Sequence, residues 1–95
     1  MGAILDEHAV ESDWGARGFS YGVWVDPPGQ IWADFVHGAD ELVMLVEGAL
    51  EVRFRGCTIR PAAGAEVLIP AGARHTVRNF GTTPNRWLYG YRKAD

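Results

Sequence analysis

The sequence has one cysteine, no long apolar run and no cluster of basic residues, and each absence excludes a class of protein. Cys57 has no second cysteine to pair with, so an internal disulfide is impossible. No apolar run approaches the roughly 20 residues that a transmembrane helix needs, so we expect no membrane partner. The arginines are scattered between Arg17 and Arg92 and the net charge is −3, which argues against a nucleic-acid partner.

The lack of basic residues at the start of the chain and the single cysteine also bear on cellular location and on redox chemistry. Residues 1–10 contain Asp6 and Glu7 and no Lys or Arg, so they lack the positive start of a secretory signal. We therefore expect a cytoplasmic protein. Cys57 is predicted to be a small, half-buried hydrophobe on a strand rather than a nucleophile.

The length of 95 residues leaves room for one domain. With 47% hydrophobic and 22% charged residues, the composition is typical of a globular protein. A chain this short buries only about two-thirds or less of the surface that its unfolded form exposes, so a small barrel is about the largest core it can support. A second subunit would add buried surface, and we expect a homodimer.

Alternating apolar and polar residues predict strands along much of the chain, whereas residues 1–18 show no clean period. This first segment contains three glycines and is predicted to be an arm whose order depends on what it packs against. The predicted strands, bounded by turns at Pro27-Pro28-Gly29 and Arg55-Gly56, are residues 20–26, 31–36, 52–54, 57–59 and 85–92.

Residues 40–54 fit two periods. The apolar residues Leu42, Leu45, Val46, Ala49 and Leu50 fall at helical spacing. Gly48 weakens the helical interpretation, and the residues after it alternate as in a strand. Periodicity alone leaves both structures open for this region.

Residues 64–79 carry the clearest pattern in the chain. They fit G-x5-P-x-G-x2-H-x3-N at every fixed position, with Gly64, Pro70, Gly72, His75 and Asn79 in those places. Gly64 allows a turn, a short β-run follows, and Pro70 to Gly72 reverse the chain so that His75 enters a second strand. The pattern is that of the second motif of the cupin family, which the chain therefore resembles.

Residues 35–48 resemble the first cupin motif, H-x-H-x3-E-x6-G, with one departure. His37, Glu41 and Gly48 occupy their expected positions, whereas Phe35 stands where the first His belongs. The resemblance implies an all-β fold: a single cupin domain over residues 1–95, built as a double-stranded β-helix (jelly-roll) barrel of antiparallel strands. It also favours strands over a helix in residues 40–54, and in many small cupins an arm such as residues 1–18 crosses to a second subunit.

By position, the resemblance implies a divalent metal ion bound by His37, Glu41 and His75. Two imidazoles and one carboxylate suit iron(II), and also manganese, nickel, cobalt or zinc, while leaving positions open for water or substrate. Four residues of straight strand span about 13 Å, so the chain must bend between His37 and Glu41 if both bind one ion.

Three neighbours of these ligands have alternative interpretations. Phe35 either packs in the pocket wall or leaves a coordination position open beside its ring, which would favour an apolar or aromatic ligand. Asp34 could replace the missing ligand, although on a regular strand it would point away from Phe35. Asn79 is expected to tie a loop through backbone hydrogen bonds.

The last predicted strand leaves the chemistry of the pocket open. Alternation puts Trp87, Tyr89 and Tyr91 on one face and Arg86 and Leu88 on the other, without indicating which face lines the pocket. We take Phe35 and Arg86 as the candidate residues of the substrate pocket, and Arg86 there would favour an acidic ligand. An outward aromatic face would favour a dimer surface instead.

Three functions fit these observations. The first is a metal-dependent enzyme of dioxygenase, isomerase or lyase type that acts on a small molecule. The second is a module that binds or senses a small molecule without chemistry, and the third is a structural subunit. We rank the metal-binding cupin with enzymatic activity first and the non-catalytic binding module second, and no catalytic residue beyond the three ligands stands out. The sequence names neither substrate nor reaction, because the same fold carries many activities.

Overall fold

The computed structural model describes residues 5–94, which form one helix and eight strands. The helix, α1, is Glu7–Ala16. Its ten residues are too few and too polar to cross a bilayer, and no other helix occurs in the described range. The strands are β1 (Gly22–Asp26), β2 (Ile31–Phe35), β3 (Glu41–Glu47), β4 (Leu50–Phe54), β5 (Cys57–Ile59), β6 (Glu66–Ile69), β7 (His75–Asn79) and β8 (Asn85–Tyr91).

The strands form two antiparallel sheets of four strands each. The order is β1-β8-β3-β6 in the first sheet and β2-β7-β4-β5 in the second. Val43 of β3 and Trp87 of β8 pack with Val52 of β4 and Val77 of β7, so the core lies between the sheets. The all-β jelly-roll barrel implied by the resemblance is confirmed.

Residues 40–54 are strands, and the burial of β3 explains why their period is ambiguous. Val43 and Leu45 point into the barrel, whereas Leu42 and Met44 point outward and are also buried. A strand covered on both faces is apolar at consecutive positions and loses its alternation. Helical spacing then arises by chance.

The turn between β3 and β4 requires glycine. Gly48 has a φ of 112°, and a Cβ there would collide with the side chain of Asn85. That Asn85 side chain accepts a hydrogen bond from the Ala49 N–H at 2.6 Å and donates one to the Ala49 carbonyl at 3.0 Å. These two hydrogen bonds hold the turn against β8, the neighbour of β3 in the first sheet.

Within the predicted arm, residues 7–16 form helix α1, which no sequence pattern indicated. It begins after Asp6, whose side chain accepts a hydrogen bond from the Ala9 N–H at 3.1 Å. Trp14 is its single fully buried residue and packs on the outer face of the first sheet. The Trp14 indole donates to Glu66 of β6 at 3.0 Å. One buried tryptophan produces no sequence period, which is why alternation and helical spacing do not reveal the helix.

Three smaller expectations were tested by the structure. Residues 64–79 form the predicted turn, strand, reversal and strand. Asn79 ties the loops together as predicted, since its amide donates to the carbonyls of Pro27 at 3.1 Å and Thr83 at 2.9 Å. The expectation that Cys57 is half-buried is wrong, because Cys57 is exposed on β5.

Candidate metal centre

The three residues implied as ligands come from three separate parts of the barrel. Glu41 is the first residue of β3, His75 is the first residue of β7 in the opposite sheet, and His37 lies in the loop between β2 and β3. The chain bends at residues 38–39, which supplies the bend that the spacing demanded. The His37 carbonyl accepts a hydrogen bond from the Gly72 N–H at 2.9 Å, so the loop is tied to the reversal that precedes His75.

The structure brings the three side chains together at one end of the barrel. The Nε2 atom of His75 lies 3.3 Å from Oε1 of Glu41, and the Nε2 atom of His37 lies 3.7 Å from the same oxygen. One donor atom from each residue fits within a mutual distance of 4.8 Å. Ligands bonded to one ion at about 2.1 Å lie about 3 to 4 Å apart, so little movement is needed to bind a metal.

The hydrogen bond of His75 fixes which of its nitrogens is available. Its Nδ1 atom lies 3.0 Å from the Ala73 carbonyl oxygen. Because a carbonyl only accepts, Nδ1 carries the proton of the neutral ring and Nε2 presents a lone pair. This is the orientation in which a histidine binds a metal while a backbone carbonyl holds the other nitrogen.

The surroundings of Glu41 suit a carboxylate that binds a cation. Only 4% of the residue is exposed, and its Oε1 atom has no hydrogen-bond partner among the described residues. Burial raises the pKa of Glu41 to about 7, while a hydrogen bond from Tyr91 acts in the opposite direction. A buried carboxylate of this kind is stabilised by a nearby cation.

His37 and Tyr91 complete this end of the cavity. Burial lowers the pKa of His37, and the proximity of His75 adds to the effect, so the neutral ring that binds metals is favoured. Burial also raises the pKa of the Tyr91 hydroxyl to about 12, with the charge of Glu41 contributing. The hydroxyl therefore stays protonated, 3.4 Å from Nε2 of His37.

These observations fit a divalent cation. A bare imidazole nitrogen of His75 and an unpartnered carboxylate oxygen of Glu41 face each other at 3.3 Å, and two lone pairs at that distance repel unless a cation or proton lies with them. His37 supplies a third donor. Two imidazoles and a carboxylate form the donor set of iron(II) sites and also suit manganese, nickel, cobalt or zinc.

A cavity of about 230 Å³ opens beside the three donors. Six aromatic side chains line it, and we call them the aromatic belt: Trp24, Trp32, Phe35, Trp87, Tyr89 and Tyr91. The remaining lining residues are the three donors and Val77. The aromatic face of β8 thus points into the cavity, which removes the basis for expecting a dimer surface there.

Arg86 does not line this cavity, contrary to the prediction that it is a pocket residue. It lies on the outer face of β8, where its guanidinium donates to Glu7 of α1 at 2.7 Å. The reason is the helix, which covers the outer face of the first sheet and supplies a carboxylate for Arg86. The cavity therefore lacks the basic side chain of Arg86 that would have favoured an acidic ligand.

A bulge in β2 decides which side chains face the cavity. The register shifts between Trp32 and Phe35, and Asp34 has a φ of 57°. As a result Trp32 and Phe35 both line the cavity, although regular alternation would place them on opposite faces. Asp34 is not part of the donor cluster found among the described residues, and its backbone N–H donates to Thr76 Oγ1 at 3.2 Å.

Sequence reasoning left Trp87, Tyr89 and Tyr91 unassigned and did not consider Trp24 or Trp32 as residues of the site. Tyr91 contacts His37 and Glu41, and its place on the aromatic face of β8 was the available signal. Trp24 and Trp32 meet edge to face, with ring centroids 5.6 Å apart. No sequence pattern indicated that Trp32 shares the cavity face with Phe35, because the bulge between them leaves no trace in the alternation.

The family model described as the cupin domain matches residues 22–91 of the chain. The chain belongs to the cupin family. This cupin is similar in structure to the protein TT1209 from Thermus thermophilus, with a TM-score of 0.70 and 29% identity over 80% of this chain and 74% of that one. No curated protein matches it in sequence.

Two other solved structures are similar to this cupin. DMSP lyase DddQ from Ruegeria pomeroyi has a TM-score of 0.71 and 25% identity, and the match covers 80% of this chain but only 39% of the lyase. A predicted oxalate decarboxylase from Thermotoga maritima has a TM-score of 0.72 and 20% identity over 95% of this chain and 76% of that one. The latter likeness shows the fold alone.

Phe35, which replaces the first histidine of the motif, lies beside both imidazoles. Its ring stacks on His37 with centroids 6.0 Å apart and lies 6.3 Å from the ring of His75. Phe35 is 40% exposed, so it forms the rim of the cavity wall. The site of this cupin therefore has three donors and an aromatic ring where a fourth donor could stand.

Proposed function

We propose that this cupin is a metal-dependent enzyme that acts on a small molecule held in the aromatic cavity. The observation that carries the proposal is the pair of unshared donors on His75 and Glu41, which face each other at 3.3 Å. His37, Glu41 and His75 would hold one divalent ion. Iron(II), manganese, nickel, cobalt and zinc all accept this donor set.

The bound ion would polarise a carbonyl group or activate water or dioxygen. The residues of the chain have other tasks. The Tyr91 hydroxyl, whose pKa is raised to about 12, stays protonated and can donate a hydrogen bond to an oxygen of the substrate. The rings of the aromatic belt give the reacting groups largely apolar walls.

Dioxygenase, isomerase and lyase reactions all remain candidates. The 25% identity to a structure named as a lyase makes lyase chemistry the first class to screen. That match spans well under half of the lyase, so its substrate is a starting point for the screen and no more.

A non-catalytic binding module is the second candidate, and one observation favours it. Apart from the three donors, the titratable side chains among the described cavity residues are Tyr89 and Tyr91. A phenol hydroxyl is a hydrogen-bond donor and a poor base. A cavity without a separate base suits binding as well as it suits a reaction in which the metal does the work.

Elemental analysis of the protein purified without chelator tests the proposed metal site. We expect about one equivalent of a transition metal in the wild type and a loss of at least about 100-fold in metal affinity in His75→Ala. His37→Ala, altered at a less buried position, should show the same loss without disturbing the core. His8→Ala, a histidine on the exposed side of α1, is the matched control. Full metal content in both site variants would overturn the proposed site.

The homodimer and the cytoplasmic location stay predictions. Exposed apolar side chains on the edge strands support an interface between subunits, notably Val25 of β1 and Ile31 of β2, which are 59% and 51% exposed. Exchange of the N-terminal segment also stays a prediction, and its residues 1–4 lie outside the described residues. Sedimentation of the full chain, compared with a Val25→Lys and Ile31→Lys double variant, tests the dimer.

A further inference from the structure

The end of the cavity away from the metal ligands is formed by tryptophans. The histidine rings contact Phe35 and Tyr91, whereas Trp24 and Trp32 contact each other at 5.6 Å and an interplanar angle of 76°. Trp24 and Trp87 are paired across β1 and β8. Two indoles at nearly a right angle form adjoining walls of a box, and we call this group, Trp24, Trp32 and Trp87, the tryptophan end.

A buried carboxylate lies behind two of these walls. Asp26 is 1% exposed, and its Oδ2 atom accepts the indole N–H groups of Trp32 at 3.2 Å and Trp87 at 3.3 Å. Its Oδ1 atom has no hydrogen-bond partner among the described residues. An aromatic ring is electrostatically positive at its edge and negative on its face. Asp26 therefore binds the positive edges of the Trp32 and Trp87 rings, and the faces are the parts of these rings that can attract a cation.

The described side chains around the cavity contribute charge of one sign, so the one cation there would be the proposed metal ion beside Glu41. None of the described residues that line the cavity is Lys or Arg, and Glu41 is the one carboxylate among them. Arg86, the basic residue next to Trp87 in the sequence, points to the outer face of β8, where its guanidinium donates a hydrogen bond to Glu7. The tryptophan end thus offers aromatic faces backed by a carboxylate, with no guanidinium or ammonium group to repel a cation.

The dimensions suit a small ligand with a compact head group. The cavity holds about 230 Å³, compared with the roughly 150 Å³ of an engineered cavity that holds benzene. Trp24 is 41% exposed, so the tryptophan end communicates with solvent. This volume admits a trimethylated ammonium group with a short polar tail, and the tryptophans and the three metal donors line the same cavity.

We propose that the tryptophan end binds a small organic cation, an alkylated ammonium group, and that the substrate of this cupin carries such a group together with an oxygen donor. The inference rests on the proposed function, since it names the ligand class for the same cavity. Ring faces attract cations most strongly where water is excluded, which favours a methylated ammonium over a strongly hydrated one.

The test compares two probes of the same shape. Choline and its uncharged carbon analogue, in which a tert-butyl group replaces the trimethylammonium group, are titrated into the purified full chain by calorimetry and tryptophan fluorescence. We expect choline to bind about tenfold more tightly than the analogue. Equal affinities, tighter binding of the analogue, or no saturable binding of choline would overturn the inference.

Variants locate the binding to the tryptophan end. Trp24→Leu, at a half-exposed position, should weaken choline binding about fivefold or more. Asp26→Asn keeps an oxygen for the indoles and removes the charge, so it should lower the preference for choline and spare the affinity of the analogue. Phe80→Leu, an aromatic residue outside the cavity, is the control. An unchanged preference in both Trp24→Leu and Asp26→Asn would contradict the inference.

The metal-site variant separates this inference from the proposed function. His75→Ala removes a metal ligand and leaves the tryptophan end intact, so it should keep the preference for choline. If the wild type binds no metal and still prefers choline, the proposed enzyme fails and the cation site stands. If it binds metal and shows no preference, the cation site alone fails.

Discussion

Glu41 and Glu51 are both 4% exposed, yet their surroundings are opposite. Glu41 begins β3 inside the barrel and has an oxygen without a partner among the described residues. Glu51 lies on the outer face of β4, where its Oε2 atom accepts hydrogen bonds from Arg60 at 3.0 Å and Arg78 at 3.1 Å. Two glutamates with the same solvent exposure therefore differ in their partners: two arginines bind Glu51, whereas Glu41 keeps an oxygen that can bind a ligand.

The two environments shift the carboxyl pKa values in opposite directions. The hydrogen bond from Arg78 lowers the pKa of Glu51, and Arg60 adds to the effect. Burial instead raises the pKa of Glu41 to about 7. A charged Glu51 thus stabilises the fold, whereas a charged Glu41 destabilises it unless a cation is bound. The fold tolerates this cost at the one end of the barrel where ligands converge.

Metal affinity should distinguish the two glutamates most sharply. Glu41→Gln should lower the affinity for a transition metal by at least about 100-fold, because the neutral amide is a much weaker ligand than a carboxylate. Glu51→Gln, the matched change at the other buried glutamate, should leave the affinity unchanged. Competition with a chromogenic chelator measures both. Equal losses in the two variants would mean that the effect is not local to the site.

The stability of the metal-free protein should respond to Glu41→Gln in the opposite sense. The folded pKa of Glu41 lies above its ordinary value of 4.5, so its favourable contribution is complete below that value and is lost as pH rises through about 7. Glu41→Gln stays neutral and should be the more stable protein at about pH 8, by on the order of 3 kcal/mol.

Urea unfolding with chelator at about pH 5 and about pH 8 measures this difference. The gain in the variant should be small at the lower pH and large at the higher one. A gain that is independent of pH would show that folding does not raise the pKa of Glu41 and that the carboxyl group is charged across this range.

The sequence was sufficient for those parts of the site that depend on spacing. His37 and Glu41 stand four residues apart and His75 sits at a fixed place after Gly72, so the resemblance identified the three donors and the need for a bend. The structure brings these donors together. Alternation likewise grouped Trp87 and Tyr91 on one face of β8.

Long-range contacts determined what the sequence could not provide. Arg86 points outward because α1 covers that face and supplies Glu7, a residue 79 positions away. The helix itself is held by Trp14, and a single buried residue has no period. Trp32 and Phe35 face the same cavity because of the bulge at Asp34. A positive φ at an aspartate is uncommon and is not predictable from alternation.

The smallest expected effect concerns the satisfied glutamate. Glu51→Gln should lower the free energy of unfolding by about 1 kcal/mol near neutral pH, since the guanidinium side chains of Arg60 and Arg78 are 55% and 40% exposed and solvent screens the pair. The folded pKa of Glu51 is lowered, so its contribution is present above the ordinary value of 4.5 and is lost as pH falls through the folded pKa. At high salt the loss in free energy of unfolding in Glu51→Gln should become smaller still, because salt screens exposed charges. The gain in Glu41→Gln should persist, since Glu41 is buried away from the ions of the solvent. Glu47→Gln, at the exposed end of β3, serves as the control, and a salt-independent loss in Glu51→Gln would show that packing rather than charge holds this glutamate.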